Sequence, residues 1–175
     1  AVKTIVTPYR RNWNGKAVKH GLELTTDKNS STVQKWYVEG ELRRERHEST
    51  GGFVLDESFL NGQLDGPYYE RSSSIKQECF YRQGKPEGKW TQQYGDLLVT
   101  TEWHAGELHG AKTWRTLRGQ VLQSAHYDRG RLVSWNGLPL LEALQSWADV
   151  RDIDPEVRRN LFDRFTTKSE LLSTM

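Results

Sequence analysis

Little in this chain could tie it together covalently or carry it through a bilayer. Cys79 is the only cysteine, which excludes an internal disulfide and a four-cysteine zinc site. A single thiol fits either redox environment and leaves the compartment open. No run of about 18 apolar residues occurs, so hydropathy offers no candidate spanning helix. Methionine appears once, at Met175, and the start Ala1-Val2-Lys3-Thr4-Ile5 has neither an initiator nor a signal-peptide pattern. That start is expected of a processed protein or of a segment excised from a longer one. Hydrophobic residues make up only 35%, too few for a thick two-layer core, yet Leu, Ile, Val and Phe still account for 38 of 175 residues at a net charge of +2, which argues against disorder. The same near-neutral balance argues against nucleic acid and anionic lipid as partners. Phosphate loops, dinucleotide fingerprints and nucleophile elbows are all missing, and with them the common enzyme signals.

What the chain does have is aromatic side chains in a polar background and a fixed period. Seven Trp and seven Tyr suit sheet surfaces better than helix packing. Gly62, Gly84 and Gly106 stand 22 residues apart, as do Gly66, Gly88 and Gly110, and Gly40 and Gly130 extend the first series with one spacing widened to 24. Three residues before the first glycine of each unit stand Tyr37, Phe59, Tyr81, Trp103 and Tyr127; two residues after it stand Leu42, Leu64, Pro86, Leu108 and Leu132. A recurrence of this length marks a repeat architecture. The glycines permit positive φ in tight reversals, and Asn61-Gly62 is a strong hairpin signal. Each unit therefore reads as a hairpin joined to the next by a Gly-x-x-x-Gly turn, with the second column packing on the aromatic beside it.

The expected fold is mainly β: a single-layer, twisted antiparallel array of hairpin repeats over 1–137, irregular over 1–34, followed by a short helical cap or linker over 138–175. Two strands per repeat set equivalent rings about 10 Å apart, and the accumulated twist of about 40–50° per repeat denies them one flat platform. Glu45 to Gly52 reads as a polar connection that packs little. In the tail, Leu138, Leu141, Leu144 and Ala148 follow helical spacing, and Asp154-Pro155-Glu156 is a helix start.

These columns resemble MORN repeats, the membrane occupation and recognition nexus family, and in particular its bacterial 22-residue variant with a Gly-Lys-x-x-Gly-x-Trp core, often catalogued among antitoxin-like proteins; Gly84-Lys85-Pro86-Glu87-Gly88-Lys89-Trp90 carries that core. The resemblance covers residues 35–137 well, 8–34 poorly and the tail not at all, with departures at Arg44, Lys112 and Ser134. It implies a single-layer β-array that scaffolds or binds another protein, or another domain of its parent chain, without catalysis and without a cofactor.

Five histidines invite a metal or catalytic reading, with His104 and His109 near Glu102 and Glu107, and with His47-Glu48 and His126-Asp128 elsewhere. No fixed ligand cluster is present, so they read as solvated polar residues, and no metal or catalytic residue is assigned. Cys79 reads as a small packed thiol. The column aromatics are expected to be mostly core. Tyr68, Tyr69, Trp90 and Trp114, outside that column, are the candidates for an exposed binding surface, which would take a protein partner or, alternatively, stack on a glycan.

Overall fold

The structure is a computed structural model that describes residues 3–5 and 9–139; the helical pattern expected beyond residue 139 lies outside the described residues. Fifteen strands follow one another: β1 (Lys3–Ile5), β2 (Tyr9–Arg11), β3 (Ala17–Lys19), β4 (Gly21–Thr26), β5 (Thr32–Val38), β6 (Glu41–Glu48), β7 (Val54–Leu60), β8 (Gln63–Arg71), β9 (Lys76–Arg82), β10 (Lys85–Tyr94), β11 (Leu97–His104), β12 (Glu107–Thr116), β13 (Val121–Asp128), β14 (Arg131–Trp135) and β15 (Leu138–Pro139). Thirteen of them form one antiparallel sheet in which β4 to β15 lie in chain order and β1 pairs on the outside of β4; β2 and β3 make a separate hairpin. The fold is mainly β, and no helix occurs among the described residues. Leu138 and Pro139, expected to open the helical stretch, instead add a short last strand on β14.

The reversals are built where the sequence signals them. Glu39-Gly40, Asn61-Gly62, Gln83-Gly84, Ala105-Gly106, Arg129-Gly130 and Asn136-Gly137 all have positive φ at both residues. That is the conformation a two-residue hairpin loop needs to match strand twist. Across these turns Tyr37 pairs with Leu42, Phe59 with Leu64, Tyr81 with Pro86, Trp103 with Leu108 and Tyr127 with Leu132, so the two sequence columns are cross-strand partners.

The second glycine differs from expectation. Gly66, Gly88 and Gly110 belong to no turn but lie inside β8, β10 and β12, which run on without interruption. Each has positive φ at or beside a register shift, and each pairs with the aromatic of the following unit: Gly66 with Tyr81, Gly88 with Trp103, Gly110 with Tyr127. Each bulge sets three residues of the strand against one of its partner, and the glycine supplies the positive φ there. The Gly-x-x-x-Gly stretch is thus one turn plus one bulge.

Glu45 to Glu48 also differ, since they belong to β6, a central strand paired on both sides. Its charges are matched from neighbouring strands: Lys35 reaches Glu45 at 3.2 Å, and Arg46 reaches Asp56 at 3.0 Å, each across a directly paired position. Opposite charges in register stabilise a sheet that the composition alone would not.

Candidate functional site

Successive side chains on a strand point to opposite faces, and the register sorts the rings accordingly. Tyr68 pairs with Cys79, two residues before Tyr81; Trp90 pairs with Thr101, two before Trp103; Val99 pairs with Trp114. These all share one face. Tyr68 and Tyr81 meet edge-on with centroids 5.7 Å apart, Tyr81 and Trp90 at 6.2 Å, Trp90 and Trp103 at 5.7 Å. A band of four touching rings therefore crosses β8 to β11, all of them half-buried.

Two of the four expected surface aromatics do not belong to such a band. Trp114 is only 8% exposed and sits in a cluster with Val99, Ala125, Tyr127 and Trp135, its ring 5.6 Å from that of Trp135. It is core, because side chains from β11, β13 and β14 converge on it. Tyr69 is half-buried on the opposite face, one residue along from Tyr68, with the Lys76 ammonium 5.9 Å from its ring centre. Conversely, of the column expected to be mostly core, Tyr127 is buried at 3%, while Tyr37, Phe59, Tyr81 and Trp103 are half-buried. Tyr68 and Trp90 join that column in one band instead of standing apart from it.

A polar file runs beside the rings. The Tyr68 hydroxyl donates to Glu70 at 2.9 Å, Gln77 donates to the same carboxylate at 2.5 Å, and Gln92 donates to Gln77 at 3.1 Å. Toward β5 the face becomes charged, with Lys35 and His47 both on Glu45, the latter at 2.6 Å. Glu57, directly opposite Glu45, has its carboxyl held above the usual range, first by burial and then by that neighbouring carboxylate. Cys79 lies between Tyr68 and Tyr81, and burial pushes its thiol up to about 12, which makes it an unreactive packing group.

The other face carries a group that no sequence motif announces. Asp56, 9% exposed, accepts from Arg44 Nε at 2.7 Å and from Arg46 at 3.0 Å, while Arg44 lies 5.0 Å over the Trp36 ring. The hydrogen bonds from Arg44, then Arg46, hold the Asp56 carboxyl below its usual range. Of the histidines, His104 is exposed and 3.2 Å from Glu87, and His109 is 3.3 Å from Asp128. Among the described residues no three His, Cys, Asp or Glu side chains are grouped to hold a metal ion.

In comparisons with known proteins, no family model matches the chain, and no curated protein is significantly similar to it.

Proposed function

We propose that the chain is a non-catalytic, MORN-like array of hairpin repeats that scaffolds or binds another protein, or another domain of a longer parent chain, through its aromatic face. The observation that carries this reading is the band Tyr68, Tyr81, Trp90 and Trp103, four half-buried rings in mutual contact on one sheet face. Apolar patches rimmed by polar groups are characteristic of interaction sites, and Tyr and Trp are the side chains that anchor them. The Glu70, Gln77 and Gln92 file supplies such a rim. The repeat reading draws support from five turns of like geometry, each flanked by a cross-strand pair of an aromatic with Leu or Pro.

Glycan stacking, the alternative, needs ring faces open to a sugar. Tilts of 43° to 64° set ring edges against ring faces along the band, which favours irregular protein contact over sugar stacking. A photo-crosslinking amino acid placed at Gln92, on the aromatic face, and separately at Gln93, on the other, tests the reading. One defined protein is expected to be trapped at Gln92 and lost when Trp90→Ala is added. Equal capture from both positions, or glycan-array binding abolished by Trp90→Ala, overturns it.

A further inference from the structure

The edge that carries Gly40, Gly62, Gly84, Gly106 and Gly130 contains a recurrent pair of hydrogen bonds. Gly84 N–H donates to the Leu64 carbonyl at 2.8 Å while Gln83 N–H donates to the Asp65 carboxylate at 2.9 Å. One unit on, Gly106 N–H donates to the Pro86 carbonyl at 3.0 Å and Ala105 N–H to the Glu87 carboxylate at 2.7 Å. In both places one dipeptide, apolar then acidic, offers a carbonyl and a carboxylate to the two outward N–H groups of the next turn. Successive main-chain N–H groups in a tight turn form a concavity suited to anions, and here the chain fills it from within.

At the Asn61-Gly62 turn it does not. The dipeptide in the serving position is Leu42-Arg43, and Arg43 has no acceptor to offer; its guanidinium pairs with Glu41 at 2.8 Å. Among the described residues no hydrogen bond joins Gly62 N–H to the Leu42 carbonyl, and none caps Asn61 N–H. The register accounts for the gap. Where other units have a second glycine paired with the next aromatic, this one has Arg44 paired with Ser58, and the β6–β7 ladder stops there, one residue short of Phe59. The strands part, and a cleft of about 560 Å³ opens between the turns, lined by Glu41, Leu42, Phe59, Asn61 and Gly62.

We propose that this cleft binds an acidic peptide segment of a partner protein, an apolar residue followed by Asp or Glu, in the way that Leu64-Asp65 and Pro86-Glu87 occupy their own turns. The partner's carbonyl takes Gly62 N–H, its carboxylate takes Asn61 N–H, and its apolar side chain rests on Phe59 and Leu42. The donors are already set: φ is 52° and 76° at Asn61 and Gly62, against 51° and 76° at Gln83 and Gly84. At the rim Arg43 and Glu41 form an ion pair, so the attraction for a carboxylate comes from the two main-chain donors. The site uses main-chain donors at a sheet edge and does not depend on the reading of the aromatic band.

The test is an amide NMR titration of the isotope-labelled full chain with the blocked tetrapeptide Gly-Leu-Asp-Gly. The Asn61 and Gly62 amide signals are expected to move together with half-saturation at about 1 mM, the range a few contacts support. The neutral Gly-Leu-Asn-Gly peptide and free acetate should each bind about tenfold more weakly, since a charge-assisted hydrogen bond and the apolar contact are respectively lost. Arg43→Asp, which supplies the missing carboxylate from within, should abolish the response while leaving signals outside this turn in place. The proposal is overturned if neither amide moves by about 10 mM peptide, if the neutral peptide or acetate binds as well, or if the Arg43→Asp chain binds like the wild type.

Discussion

Asp56 and Glu57 are neighbours in sequence, project to opposite faces of β7 and meet opposite electrostatics. Asp56 lies under two guanidinium groups, and their hydrogen bonds hold its carboxyl below the usual carboxylate range. A lowered acid contributes stability that is fully present above about 3.9, its unfolded value, and is lost as pH falls through the lower folded value. Asp56→Asn should therefore cost about 1–2 kcal/mol at pH 7, on the scale of hydrogen bonds to charged groups, and urea melts from pH 6 to pH 2 should show the two proteins converging toward the acid end. Glu57 has the reverse sign. Its carboxyl is held above 4.5 by burial and by Glu45, so its contribution is favourable below that value and lost as pH rises through the folded one. Glu57→Gln is expected to be more stable than wild type at pH 7 and indistinguishable from it at pH 4. A Gln variant that is less stable at pH 7 would show that Glu57 is a needed acceptor and not a crowded charge.

At the scale of the element, the two glycines of a unit fail differently when a methyl is added. A Cβ at Gly62 meets nothing within 4 Å and has only its φ of +76° to bear, whereas at Gly66 it would stand 2.9 Å from Ser58 Cβ with φ at +115°. Gly62→Ala should cost about 1 kcal/mol and Gly66→Ala about 2–3 kcal/mol, the upper range for a strained backbone position; chemical denaturation of the two variants gives the comparison. The turns and their aromatic–Leu pairs were legible in the sequence because they are local: a two-residue reversal demands positive φ, and the residues flanking it must pair. The place of Gly66, Gly88 and Gly110 was not, since spacing alone does not separate a four-residue turn from a tight turn followed by a bulged strand. Period two should have kept Tyr68 and Tyr69 off the same surface. The burial of Trp114 could not be read locally, because it depends on Val99 and Trp135 arriving from other strands. Nor could β6, whose charges look like a loop until Lys35 and Asp56 are brought alongside.

At the scale of the whole molecule, each strand of the main sheet packs chiefly on the neighbours to which it is hydrogen-bonded. Stability is then a sum of local terms with weak coupling along the sheet. Trp114→Ala, which empties the centre of the buried cluster of Val99, Ala125, Tyr127 and Trp135, should cost about 3–5 kcal/mol. Amide hydrogen exchange is expected to accelerate in β11 to β14 and to stay unchanged in β4 to β6; a uniform acceleration would mean that the sheet opens as one unit. The chain-order arrangement of β4 to β15 has a mechanical corollary. Tension applied between Gly21 and Pro139 loads each antiparallel pair at right angles to its strands, along its hydrogen bonds. The bonds then part in succession, strand by strand from either end, so the protein yields as a soft extensible element under load and its length, more than its resistance, registers the force.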